Sequence, residues 1–137
     1  MPASIRATRL TPNLIVSSVE KSVEFYRDLL GFAVEQTVPP DGGGPLAFAS
    51  LTNGPVRVFF NSTESAYAEH PAFAQQKIGG TLTQFLEVVD IKSAYESLKD
   101  RVKVVTPLHL QWYGVWEFNI ADPDGYLITF AELDQKR

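Results

Sequence analysis

Few residues of this chain could do chemistry, and most of those are carboxylates. Its 137 residues include two histidines, His70 and His109, and no cysteine. Thiolate nucleophiles, thiolate metal sites and disulfides are therefore excluded. Two histidines do not make a histidine-rich iron centre, and both fall in connecting segments: His70 in a bridge, His109 on a loop ahead of an aromatic segment. Glu87 and Glu117 lie on stretches of strand-like alternation, where either could serve as a general base, though neither has an evident partner acid. Asp122 and Asp124 form a closer pair, but Asp122-Pro123-Asp124-Gly125 ahead of a strand has the composition of a type I turn. No Gly-x-Ser-x-Gly elbow supplies a serine nucleophile. Gly42-Gly43-Gly44 is followed by neither a lysine nor a helix start, so it is a loop and not a phosphate cradle. What remains is the chemistry of recognition: Arg57 between Val56 and Val58, and Trp112-Tyr113 beside Gly114.

The elements that must position these residues come in two copies. At an offset of 72, Val16-Ser17-Ser18-Val19 falls on Val88-Val89-Asp90-Ile91, and Val23, Glu24, Tyr26 and Asp28 fall on Tyr95, Glu96, Leu98 and Asp100. Each copy opens with an apolar strand, a polar turn and a helix with apolar residues at helical spacing, a supersecondary unit that cannot bury its face alone. In the first copy a strand spans Arg9 to Ser17, with Leu10, Leu14 and Val16 on one face and Thr11, Asn13 and Ile15 on the other. Ser18 caps a helix whose stripe is Val19, Val23, Tyr26, Leu29 and Leu30, and Gly31 ends it. Strands follow at Phe32 to Val38, Leu46 to Leu51 and Val56 to Asn61. Residues 62–78 form a short helix or irregular bridge. The second copy places a strand at Thr81 to Val89, a helix from Asp90 to about Arg101, and strands at Val102 to Thr106, Trp116 to Ala121 and Tyr126 to Glu132. The expected fold is α+β: two βαβββ modules in one domain, 1–137, with module one at about 9–61, the bridge at 62–79 and module two at about 80–132. The modules are expected to form a curved mixed sheet around a concave cleft, with helices on the convex side.

Composition narrows the partners. A net charge of −4 lacks the basic stripe that nucleic acid requires. No apolar run reaches membrane-spanning length, and Met1-Pro2-Ala3-Ser4-Ile5-Arg6 has no apolar signal-peptide core, which suits a cytoplasmic protein.

Two motifs carry a family resemblance. The segment from Asn13 to Phe32, with Phe25-Tyr26 on its helix and Leu30-Gly31-Phe32 at its end, resembles the opening of the vicinal oxygen chelate superfamily. The stretch Trp112-Tyr113-Gly114-Val115-Trp116-Glu117-Phe118-Asn119-Ile120-Ala121-Asp122-Pro123-Asp124-Gly125 is similar to the family's second signature, most of all in the bleomycin resistance branch. With the repeat, the resemblance covers nearly the whole chain. Members include glyoxalases, extradiol dioxygenases, thiol transferases and antibiotic-sequestering proteins, so the resemblance defines a fold more sharply than an activity.

The enzymes of that superfamily hold a divalent metal with His, Glu or Gln on inward-facing strand positions. Carried over by the motifs, those positions fall here on Thr11, Arg57, Thr83 and Thr129. Threonine hydroxyls are weak neutral donors, and a guanidinium has no lone pair to give a cation. The resemblance therefore implies a cleft without metal or cofactor.

That cleft has the makings of a ligand pocket, with aromatic walls and a few polar anchors. The aromatic candidates are Phe48, Phe59, Phe85, Trp112, Tyr113 and Trp116; Phe59 and Phe85 fit the cavity or the core equally, and alternation with Phe118 and Ile120 would turn Trp116 coreward. The polar candidates are Asn13, Arg57, Glu87 and Glu117. An inward Arg57 needs a partner, and Glu87, Glu117 or a ligand carboxylate would serve. The expected function is binding and sequestration of a small aromatic or cationic ligand by a homodimer. The alternative is a metal-dependent glyoxalase- or dioxygenase-like enzyme whose ligands lie elsewhere; a metal-free enzyme and an accessory domain are further readings.

Overall fold

The computed structural model describes residues 4–41 and 43–133; Met1 to Ala3, Gly42 of the glycine-rich loop and the charged tail from Asp134 lie outside the described residues. Module one consists of β1 (Asn13–Val16), α1 (Val19–Glu24), a π-helical turn (Phe25–Leu29), β2 (Ala33–Val38), β3 (Phe48–Asn53) and β4 (Val56–Ser62). The bridge is α2 (Thr63–Glu69) and a 3₁₀ turn (Pro71–Gln75). Module two consists of β5 (Thr83–Glu87), α3 (Ile91–Leu98), β6 (Lys103–Leu110), β7 (Trp116–Ala121) and β8 (Leu127–Glu132). The modules contribute two separate four-stranded mixed sheets, ordered β1-β4-β3-β2 and β5-β8-β7-β6, with one parallel pair in each.

Local chemistry explains most boundaries. Ser18 Oγ accepts from Lys21 N at 3.2 Å, capping α1 as expected. The following helix is not uniformly α: from Phe25 it widens into the π turn, and only Val19, Val23 and Tyr26 of the expected stripe are fully buried, with Leu29 and Leu30 half-buried. Gly31 at φ +79° ends it, where a side chain would be strained. Strand β1 is shorter than expected because Pro12 has no N–H to give; its carbonyl accepts from Phe59 N, and Leu10 is left exposed. Strand β6 is longer than expected and runs through Pro107, which an edge strand with shifted registers at Thr106 and His109 can accommodate. His109 therefore lies on a strand opposite Glu117, not on a loop.

The buried faces of both sheets pack against the helices. Leu14, Val16, Leu51, Val58 and Phe60 fill module one. Phe118 stacks on Phe130 with centroids 4.5 Å apart and meets Tyr95 of α3 edge-on at 5.0 Å. Each such side chain contributes roughly 1.5–3 kcal/mol of transfer free energy. The opposite faces carry the recognition residues.

The repeat does not keep one offset. Asn13 pairs with Phe59, whereas Phe85, its mate at 72, pairs with Thr129. The first strands thus match at 72 and the last at 70, so the mate of Thr129 is Phe59. The carry-over to Arg57 is corrected accordingly: Arg57 lies two residues earlier on the same face.

The modules meet at the edge strands β1 and β5, which are not hydrogen-bonded to each other. One end of this seam is tied. Tyr26 Oη donates to Asp122 Oδ2 at 2.9 Å and accepts from Gln84 Nε2 at 2.9 Å; Tyr126 Oη donates to Ile15 O at 2.8 Å; Ser17 N donates to the Asp124 carboxylate. Among the described residues no such hydrogen bond crosses the other end, where the repeat-mate of Tyr26 is Leu98.

Candidate ligand-binding site

The concave face of module one carries Asn13, Arg57, Phe59 and Phe48, all pointing away from the buried Leu14, Val58, Phe60 and Ala49. Phe48 and Phe59 meet edge-on with centroids 5.2 Å apart, and Asn61 donates to Asn13. Arg57 does not reach Glu87 or Glu117. Its Nη2 pairs with Glu35 Oε2 at 3.0 Å, and Glu35 Oε1 accepts from Ser50 Oγ at 2.7 Å. Glu35 had no signal in the sequence, because the β2–β3 register shifts between Val34 and Gln36 and breaks the alternation that would have placed it. Arg57 Nε is buried and has no partner.

In module two the concave face carries Phe85, 54% exposed, with Glu87 beside it. Glu87, Ala131, Glu117 and His109 lie in one lateral row across the four strands. Glu117 is only 5% exposed, and both its oxygens are engaged: Oε1 accepts from Gln111 Nε2 at 3.1 Å and Oε2 from Tyr113 Oη at 2.6 Å. It is thus an anchor for the β6–β7 hairpin loop, not a free base. The hydrogen bond to Glu117 raises the Tyr113 phenol above its ordinary pKa. The loop is closed by Gln111 N to Val115 O and Gly114 N to Gln111 O, both at 2.9 Å. It holds Trp112, 91% exposed, edge-on to Tyr113 at 5.2 Å. The loop thus leaves the Trp112 indole face open to solvent.

Trp116 does not belong to this set. It alternates with Glu117 and shares the helix-side face with Phe118, where Lys92 Nζ of α3 lies 5.6 Å from its ring centroid. The other nine candidate residues lie on concave faces or on the hairpin loop, but on two different sheets. Of them, only Arg57 and Phe85 line one cavity, a space of about 310 Å³ at the seam.

The positions the resemblance marks for metal do not fit a metal. Corrected for register, they are Thr11, Phe59, Thr83 and Thr129, and among the described residues no three His, Cys, Asp or Glu come together. The threonines instead form a donor relay: Asn119 Nδ2 donates to Thr129 Oγ1 at 2.6 Å, and Thr129 Oγ1 lies 3.1 Å from Thr83 Oγ1. A phenyl ring and hydroxyls offer a cation nothing that imidazole or carboxylate ligands would.

Two βαβββ modules, an anchored aromatic hairpin and this strand order define the superfamily. A profile of the Glyoxalase/Bleomycin resistance protein/Dioxygenase superfamily matches residues 8–130, and the chain belongs to that superfamily. The bleomycin resistance protein of Geobacillus stearothermophilus is 31% identical over 130 residues, covering 88% of this chain and 93% of the relative. A protein of unknown function from Agrobacterium tumefaciens str. C58 has the same fold, with a TM-score of 0.76, 24% identity and coverage of 95% and 98%. So does the bleomycin-binding protein of bleomycin-producing Streptomyces verticillus, whose crystal structure contains copper(II)-bleomycin, with a TM-score of 0.65, 23% identity and coverage of 96% and 100%.

Proposed function

We propose that this chain binds a planar, cationic small molecule of the bleomycin type and withholds it from its target without transforming it. The observation that carries this reading is the hairpin Gln111 to Val115: the Glu117 carboxylate holds the loop so that Trp112 stands bare above it. A flat ring stacks on that indole, and a cationic group gains from its π face. The 31% identity to a bleomycin resistance protein supports the choice of ligand class. Sequestration needs no metal of the protein's own, and the threonine and phenylalanine positions suit that economy. The protein acts as a cytoplasmic homodimer, in which the concave face of one module lies against the other module of the partner subunit and the exposed Phe85 and Trp112 become cleft walls.

Titration of the purified protein with copper(II)-bleomycin tests this directly. Tryptophan fluorescence is expected to quench to saturation at one ligand per chain, with the drug recovered chemically intact. Trp112→Ala is expected to leave the unfolding midpoint within about 0.5 kcal/mol of wild type, since the side chain is exposed. It should weaken binding by about tenfold or more, the loss of one aromatic contact plus its buried area. Stoichiometric divalent metal bound to the drug-free protein, or turnover of the drug, would sink the proposal in favour of the metal-dependent enzyme reading.

A further inference from the structure

The two ends of the seam are built from the same elements but filled differently. The N-caps Ser18 and Asp90 stand 72 residues apart, so Phe25 and Tyr26 after α1 correspond to Ser97 and Leu98 on α3. Asn53 pairs with Val56 where β3 turns into β4, as Asp122 bonds to Tyr126 where β7 turns into β8. At the tied end these positions carry three rings. Tyr26 and Tyr126 are buried, Phe25 meets Tyr26 edge-on at 5.6 Å, and Tyr26 lies 4.8 Å from Phe60. At the other end the corresponding side chains are Leu98, Val56 and Ser97, and none is aromatic.

The missing rings leave room. A space of about 420 Å³ opens beside Leu98 and Val56, floored by Phe130, the repeat-mate of Phe60. Its walls are Leu29, Leu30, Leu86, Val88 and Ala94, all half-buried. Hydrocarbon walls of this kind gain more from a ring than from water. The polar groups, Asn53, Glu87 and Ser97, are exposed and form the rim. Asn53 spends Nδ2 on Leu30 O at 3.2 Å, so its Oδ1 is left to accept. Asp122, the counterpart of Asn53, accepts the Tyr26 hydroxyl at the tied end. Of the described residues lining the space only Glu87 is charged, and its sign repels anions. A cation would have to leave water for hydrocarbon. An apolar bed with an acceptor at its edge therefore selects a neutral ring bearing a hydroxyl donor.

We infer that this end of the seam is a second ligand site, for a neutral phenol of one or two fused rings. The ring takes the place of the missing aromatic side chains, and the hydroxyl donates to Asn53 Oδ1. The site shares no residue with the Trp112 hairpin and stands whether or not that hairpin binds bleomycin.

Equilibrium dialysis of the intact protein against 2-naphthol and naphthalene tests it. 2-Naphthol is expected to saturate at one per chain. Asn53→Ala should weaken 2-naphthol about fivefold, the loss of one neutral hydrogen bond, and leave naphthalene unchanged. Leu98→Tyr returns a missing ring and should abolish binding of both compounds. Ser97→Phe returns the counterpart of Phe25 at an exposed position; it should weaken both at least about tenfold, and it carries the test if Leu98→Tyr does not fold. Trp112→Ala should leave both affinities as they are. No saturable binding of 2-naphthol, equal effects of Asn53→Ala on the two compounds, full binding in Ser97→Phe, or a loss in Trp112→Ala would each overturn the assignment.

Discussion

Asp122 shows how far a local motif can understate a residue. Within Asp122-Pro123-Asp124-Gly125 it makes the expected turn: Gly125 N donates to Asp122 O at 3.0 Å, and Oδ1 accepts from the backbone of Asp124 and Tyr126. Turn aspartates are ordinarily solvated, yet this one is 5% exposed and accepts from Tyr26 of the other module. Burial raises its carboxyl pKa above the usual range, against the lowering effect of the Tyr26 and backbone donors. The same burial, with Asp122 alongside, pushes the Tyr26 phenol well above the usual tyrosine range. A carboxyl whose folded value is raised holds its proton more tightly in the folded chain than in the unfolded one. Its contribution to stability is therefore greatest at low pH and declines as pH rises from the ordinary Asp value, about 3.9, through the raised folded value. Urea midpoints for wild type and Asp122→Asn, measured between about pH 3 and about pH 7, should show the wild-type advantage shrinking as pH rises. A pH-independent difference would remove the linkage.

Against the same turn packs Gly79, at the end of the bridge. Its φ of +87° lies in the left-handed region, and a Cβ there would stand 2.2 Å from the Asp124 carbonyl oxygen. Both the conformation and the close approach demand glycine. Gly79→Ala is expected to cost at least about 2 kcal/mol, measured as a shift in the denaturant midpoint, because strain and overlap act together. By contrast Gly80 meets nothing within 4 Å, so Gly80→Ala, expected to be nearly neutral, is the matched control. The paired glycines marked the end of the bridge in the sequence; which of them was indispensable depends on where module two folds back against it. Strand ends were harder to place for the same kind of reason. Periodicity gave β1 four extra residues at its start and one at its end, and β5 two at each end, since alternation continues in sequence after the ladder has run out of partners.

In the assembled protein, the two concave faces present Phe85, Trp112 and an unpaired sheet surface to the outside, and the edge strands β2 and β6 have one neighbour each. Isologous pairing would cover them with a second copy. Light scattering of the purified protein at micromolar concentration is expected to return about twice the 15.2 kDa chain mass. Replacing the cleft-wall residue Phe85 with Asp should shift the population toward monomer while leaving the far-ultraviolet dichroism intact, because its ring is outside the core. A monomeric wild type would remove the proposed cross-subunit cleft, though not the Trp112 platform itself.

Residue order was enough for the α+β modules, the cap at Ser18, the stop at Gly31 and the coreward turn of Phe118, Ile120 and Trp116. These depend on spacing and backbone preference, which act over a few residues. Long-range pairing chose the rest. Register moved the fourth family position from Arg57 to Phe59, and the β2 irregularity brought Glu35 to Arg57. A strand's partner and its phase on the sheet are set by the packing of both modules at once, and a one-residue change in phase exchanges every side chain between core and cleft.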